Sequence, residues 1–223
     1  MVNSVGKTVF ITGASRGIGK ALAEKFLNEN YTVIGTSTTG KSDLKHKNVS
    51  FLKLDLSSSK SIESCVQEFT ALKKKIDILI DNAGIWSGRK DSEMDVNSLR
   101  KVLEVNLIGT IDLTEKLLPL VKDGGKIIAI SSRAGSLSST THANYPDYKI
   151  SKAALNMYTR ILAIKVSNRK TMVAAIHPGW VETDMGGKGA DLKPEEAARD
   201  IYNRVTSLTE TGQFWFKQEK FPW

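Results

Sequence analysis

The stretch that decides the fold is Thr8-Val9-Phe10-Ile11-Thr12-Gly13-Ala14-Ser15-Arg16-Gly17-Ile18-Gly19. A β-branched run of strand length, Thr8 to Thr12, passes directly into a glycine-rich turn. The turn in its place passes into Ile18, Ala21, Leu22 and Phe26, spaced as one helical stripe. Glycines in such a turn let the backbone approach a pyrophosphate, and the helix N-terminus behind it offers unpaired N–H groups and a partial positive charge. Strand, glycine turn and helix in that order predict a dinucleotide site rather than a tight turn alone.

Outward from this unit the same alternation repeats. Short apolar runs at Thr32 to Thr36, Val49 to Leu54, Ile76 to Ile80, Lys126 to Ser131, Met172 to Ile176 and Gln213 to Phe216 are separated by amphipathic segments. Those segments are carried by the set from Ile62 to Leu72, by Leu99, Val102 and Leu103 with Leu113 through Leu118, and by Tyr148 to Val166. Strands alternating with helices predict a single doubly wound, Rossmann-like α/β domain over residues 1–223, with seven mostly parallel strands and helices on both faces. The only long irregular stretch expected is Gly179 to Lys193, a length and glycine content that suit a lid over a binding site. In the Tyr148 to Val166 segment apolar residues cover more than one face. Two readings are open: burial inside the monomer, or a homodimer contact through this helix.

Composition agrees with one globular domain of 223 residues, 40% hydrophobic and 25% charged. Such a chain buries roughly 70% of its unfolded surface and needs neither disulfides nor a structural metal. Cys65, at helical spacing with Ile62, Val66, Phe69 and Leu72, reads as a small core residue. Met1-Val2-Asn3-Ser4-Val5-Gly6-Lys7 holds no apolar leader, and no apolar run nears the ~18 residues of a membrane span, so a soluble, cytoplasmic protein is expected. The 32 Lys and Arg exceed the 24 acidic residues to give +8. The basic residues are scattered, however, and the densest run, Lys73-Lys74-Lys75, falls at a helix end, so no nucleic-acid partner is expected.

Hydride transfer to a carbonyl places negative charge on its oxygen, so a site for that chemistry needs a proton donor and a second hydrogen-bond donor. Tyr148 and Lys152 are four apart, on one helical face, and the ammonium would lower a phenol whose ordinary pKa is near 10. Tyr145 and Lys149 share the spacing. Pro146 separates the two pairs, because proline suits the first helical position and disfavours helical geometry before it, which leaves Tyr145 outside the helix as a pocket-wall residue. His177 reads as packing behind Pro178, and His142 as a solvated loop residue. His46 is remote from both, so no zinc spacing is formed.

The glycine spacing after Thr12 resembles that of the classical short-chain dehydrogenases/reductases. Asp55 at the end of the third strand, Asn82-Ala83-Gly84 after the fourth and Pro178-Gly179 after the sixth fall into the family's register. The run His177-Pro178-Gly179-Trp180-Val181-Glu182-Thr183-Asp184-Met185-Gly186-Gly187 is similar to that of the C-factor-like and sniffer-like carbonyl reductases. The resemblance implies a tetrad: Tyr148 as general acid, Lys152 holding the nicotinamide ribose and tuning Tyr148, Ser132 orienting the carbonyl, and Asn106 holding a relay water near Lys152. It also implies cofactor contacts at Gly13, Ser15, Arg16, Gly17, Ile18, Gly19, Ser37, Asp55, Leu56, Asn82, Ala83, Gly84, Tyr148, Lys152, Pro178, Gly179, Val181 and Thr183. For Asp55 taken alone a helix N-cap is the competing reading.

Cofactor choice turns on charge at the ribose. The second strand ends in Ile34-Gly35-Thr36-Ser37-Thr38-Thr39-Gly40-Lys41, with hydroxyls and a lysine but no acid, and Arg16 would suit a 2′-phosphate, so NADP(H) is expected. A solvated loop arginine is the plainer reading of Arg16. The activity implied is reduction of a small-molecule carbonyl to an alcohol; the alternative is a low-turnover NADP-binding signalling or sensor protein on the same fold. Five of the 16 aromatic residues lie in the last ten positions. That tail is expected to form an edge strand and a plug, or else a pocket wall or subunit contact.

Overall fold

A computed structural model describes residues 6–89 and 91–223; the first five residues, part of the leader reading above, lie outside the described residues. The first strand, β1 (Thr8–Ile11), leads through the glycine turn into α1 (Gly17–Asn28), and β2 (Thr32–Ser37) and β3 (Val49–Lys53) complete one half of the sheet. After α2 (Ser59–Ala71) come β4 (Ile76–Asp81), α3 (Val96–Leu103), a π-helical turn over Glu104–Gly109 and α4 (Thr110–Leu117). The second half comprises β5 (Val121–Ile130), α5 (Pro146–Lys165), β6 (Met172–His177), α6 (Pro194–Thr206), β7 (Gln213–Phe216) and β8 (Glu219–Lys220). The sheet runs β3-β2-β1-β4-β5-β6-β7-β8, parallel throughout except for β8.

Alternation along the central strands divides the core in two. Val9 and Ile11 of β1 pack with Ala21, Leu22 and Phe26 of α1 and Ile201 of α6. Phe10 points the other way, to Phe69 of α2, Leu113 of α4 and Leu162 of α5. Strand order turns back between β1 and β4, and the carboxyl ends of these two strands flank the crevice where such a sheet binds its ligand.

Four expectations change. The sheet has eight strands, not seven, because the chain reverses at Lys217 and pairs Phe216 with Glu219 and Trp215 with Lys220. A two-residue strand of Glu and Lys carries no strand-like pattern of its own. The helix expected across Leu99 to Leu118 is two helices joined by the π turn. A further helix, α6, buries Ala197, Ala198, Ile201 and Val205 behind Pro194 at its first position. Finally, residues 179–193 are not the only irregular stretch, since 82–89, 91–95 and 136–145 also lie outside regular helix or strand. No described helix is long and apolar enough to cross a membrane.

Candidate active site

The glycine turn is braced from β4. Thr12 Oγ1 accepts from the N–H groups of Asn82 and Ala83, each at 2.9 Å. The Asn82 amide donates back to the carbonyls of Thr12 at 2.9 Å and Gly13 at 3.1 Å. A Cβ on Gly19 would stand 2.1 Å from the Gly13 oxygen, so only glycine lets α1 begin this close to the turn. Arg16 gives α1 no side-chain cap and its first turn holds no acid, so its leading N–H groups face the cleft unneutralised. The donors, the close backbone approach and the absence of a carboxylate together fit a dinucleotide pyrophosphate.

At the ribose end Ser37, Thr38 and Thr39 line the cleft. Ser37 Oγ is tied to the Lys41 backbone, donating to its carbonyl at 2.8 Å and accepting from its N–H at 3.0 Å. Arg16 is exposed, as the plainer reading had it, yet it is not solitary: its Nη1 meets Asp184 Oδ2 of the loop after β6 at 2.9 Å. Asp55 is not the N-cap of α2; Ser58 is, accepting from Ser61 N. Asp55 lines the cleft and accepts from the N–H and Oγ of Ser57 at 2.9 and 2.7 Å, bonds that hold its carboxyl below the usual range. Leu56 is buried, its carbonyl packed against Gly109 of the π turn.

Four residues converge at the nicotinamide end. Tyr148 lies in the first turn of α5 beside Ser132, whose hydroxyl acts to lower the phenol's pKa and whose Oγ accepts from Ala134 N at 3.1 Å. One turn on, Lys152 is buried, donates to the Ile130 carbonyl at 2.8 Å and stands 5.7 Å from the Tyr148 ring centre. Asn106 is buried on the π turn, a helix irregularity that often marks a functional position. Its Oδ1 accepts from Ile85 N at 2.7 Å, and its Nδ2 donates to the Ile85 carbonyl at 2.8 Å and Ser151 Oγ at 3.1 Å. The Asn106 oxygen and the Lys152 nitrogen approach one point above Gly84, 3.2 and 3.6 Å from where a Cβ would stand.

Electrostatics correct one expectation. Burial pushes the Tyr148 phenol up to about 12 despite the nearby Ser132 hydroxyl, and burial lowers Lys152 to about 8. Loss of water outweighs the neighbouring Ser132 hydroxyl at Tyr148, a balance that sequence spacing does not carry.

Tyr145 stands before α5 in the left-handed region, at φ 58° and ψ 47°, and its ring stacks on Trp86 at 5.6 Å. Lys149 turns away to the His142 carbonyl. His177 lines the cleft and stacks on Phe216 at 4.9 Å, and burial with the nearby charge of Arg133 lowers it to about 4. Cys65 is fully buried and its thiol is pushed up to about 12. Pro178, Gly179, Val181 and Thr183 join the glycine turn, Asn82 to Gly84, Tyr148 and Lys152 along one cleft of about 1890 Å³. Thr12, Trp86 and Ser151 were missed. Trp86 carried a signal, a large apolar ring in an otherwise polar segment behind a strand.

A family model described as short chain dehydrogenase matches residues 7–193. The chain is 35% identical over 191 residues to a 3-oxoacyl-(acyl-carrier-protein) reductase FabG of Aquifex aeolicus, covering 81% of this chain and 76% of that one. It is 31% identical over 156 residues to the C-signal of Myxococcus xanthus, covering 66% of this chain and 93% of that one. Among solved structures, the carbonyl reductase Sniffer of D. melanogaster superposes with a TM-score of 0.89 at 25% identity, over 98% of this chain and all of that one. The NADPH-bound carbonyl reductase from chicken fatty liver superposes at 0.90 and 28%, again over 98% of this chain and all of that one. The match spans the glycine turn, the tetrad positions and the loop after β6, and the chain belongs to the short chain dehydrogenase family.

Proposed function

We propose that this protein is an NADP(H)-dependent oxidoreductase that reduces a small aldehyde or ketone to an alcohol, with Tyr148 as the proton donor. The observation that carries the reading is the convergence of Ser132, Tyr148 and Lys152, the ammonium 5.7 Å from the Tyr148 ring centre, in the same cleft as the uncapped glycine turn. The NADPH-bound carbonyl reductase neighbour supports the choice of cofactor. When bound, the nicotinamide supplies the hydride.

The chain's own residues do the rest. Ser132 and Tyr148 present two hydroxyls to the substrate oxygen. At neutral pH the phenol is fully protonated, as a donor must be, and Lys152 is mostly charged, which stabilises the phenolate left behind. Asn106 fixes the segment after β4 against α5 and, with Lys152, brackets the point where a relay water would sit. Arg16 reaches the 2′-phosphate, and the loop 179–193 closes as a lid. The test follows NADPH absorbance against a panel of aldehydes and ketones. Turnover that disappears in Tyr148→Phe supports the reading, and NADPH binding without turnover on any carbonyl overturns it.

That second result would favour a low-turnover sensor, the reading to which the C-signal similarity points. We also propose a homodimer through α5. Ile150, Met157, Ile161 and Ile164 are 41%, 61%, 55% and 73% exposed and recur as one stripe along the helix, which a second copy of the same face would cover.

A further inference from the structure

Among the described residues, five that are not glycine have positive φ: Asn30, Lys73, Tyr145, Lys170 and Lys217. Asn30, Lys73 and Lys170 follow helix ends, where the left-handed conformation is the usual way to stop. Tyr145 and Lys217 have no such excuse. Tyr145 precedes α5 in a place suited to Ser, Asp or Asn, and Lys217 occupies the turn between β7 and β8, at φ 52°, where glycine is the unstrained choice. Both line the cleft. Strain that persists at a binding surface is a pointer to function.

Each strained residue belongs to an aromatic wall. Tyr145 stacks on Trp86, their planes 28° apart. The Lys217 ammonium lies 5.6 Å from the ring centre of Phe216, which stacks on His177 at 25°. Arg133 follows Ser132 directly in the chain, and its charge acts on His177. Neither Arg133 nor Lys217 has a carboxylate partner among the described residues. The carboxylates lining the cleft are mostly engaged: Asp55 with Ser57, Glu182 with Lys193 at 2.5 Å and Asp184 with Arg16, leaving Asp191 of the loop.

We infer that the substrate end of the cleft takes a planar aromatic carbonyl compound bearing an anionic group, its ring held by Trp86, Tyr145 and Phe216 and its anion by Lys217 and Arg133. The inference rests on the carbonyl-reductase reading, and the two can fail separately. Contact with a flat ring gives Trp86, Tyr145 and Phe216, half-buried aromatic side chains that all line the cleft, a common role. Two unpaired cations beside those faces explain the charge.

The test is calorimetric titration of the full chain, with NADP⁺ present, by 4-formylbenzoate and by its methyl ester. The acid is expected to bind at least tenfold more tightly than the ester, with the ratio shrinking as salt is added. Lys217→Gly, which suits the turn better than the native residue and so keeps the hairpin, should cut that ratio about fivefold, as should Arg133→Gln. Equal affinities for acid and ester, or a ratio untouched in both variants, overturns the inference. Turnover of the same two aldehydes with NADPH judges the parent reading. Reduction of both with equal affinity sinks only the anion site, whereas preferred binding of the acid without reduction of either sinks only the carbonyl-reductase reading.

Discussion

Gly19 shows how little freedom the cofactor turn has. A methyl there would overlap the Gly13 oxygen, and it would also stand 2.5 Å from the Asn82 amide that braces the turn. Gly19→Ala should therefore cost about 1–3 kcal/mol in urea unfolding and weaken NADPH binding at least tenfold by calorimetry, because strand, turn and brace must all shift. Tyr148→Phe should remove nearly all turnover while sparing NADPH affinity; Tyr145→Phe should mainly raise KM. The reverse result would move the catalytic assignment to the wrong side of Pro146. The place of Tyr145 outside α5 was legible in the sequence because proline dictates where a helix can start. The protonation of the pair was not, since burial sets it. With Lys152 lowered to about 8, kcat for reduction should fall as pH rises through about 8 and the ammonium is lost. A flat profile from pH 7 to 10 would remove Lys152 from that role. Asp81 gives a separate signature: burial raises its carboxyl to about 7, with Thr114 Oγ1 donating to one oxygen at 3.0 Å. The unfolded chain releases that proton near pH 4, so between about pH 4 and 7 the native state binds more protons and this group's contribution to stability declines as pH rises. Asp81→Asn should flatten the urea midpoint across that window.

Elements differ in how clearly they announce themselves. Strands β1, β4 and β6 and helices α1 and α5 were readable because β-branched runs, a glycine turn and a proline start each have one local meaning. The π turn was not, since Glu104 to Gly109 keeps an apolar spacing that a continuous helix would also satisfy, and only the Asn106 bonds to Ile85 show why the backbone widens there. The loop after β6 was legible as a lid candidate, but its tether was not. Glu182 and Lys193 pair across its base, Val181 bridges to Leu192, and Trp180 donates to the Gly186 carbonyl at 2.9 Å. At its tip Asp184 holds Arg16, the residue proposed for the 2′-phosphate. Two anions then compete for one guanidinium. Both side chains are about four-fifths exposed, and such pairs contribute only about 0.2–1 kcal/mol. Asp184→Asn should accordingly tighten NADPH binding about two- to fivefold and leave NADH unchanged, measured by paired titrations. Weaker NADPH binding in that variant would mean that the pair organises the site instead of guarding it.

At the scale of the whole molecule, the sheet delivers the ends of β1, β4, β5 and β6 to one edge, so the cleft follows from strand order and was readable once the first unit was placed. What surrounds the molecule follows from α5. Its inner face buries Lys152, Leu155, Thr159 and Leu162, and its outer face leaves Ile150, Met157, Ile161 and Ile164 in water. Apolar spread over two faces was visible in the sequence; which face the monomer covers was not, because both carry Ile, Leu or Met. The inner face also holds the proposed catalytic pair, so a partner clamped on the outer face would steady the helix that carries Tyr148 and Lys152. The proposed dimer can be tested without touching the site. Ile161→Glu places a charge in the middle of the exposed stripe, where it costs a lone protomer almost nothing and a dimer a buried charge. Sedimentation should show the unaltered protein as a dimer and Ile161→Glu as a folded monomer with reduced turnover. A native protein that sediments as a monomer at high micromolar concentration, or a variant that stays dimeric, would show that α5 is not the dimer contact.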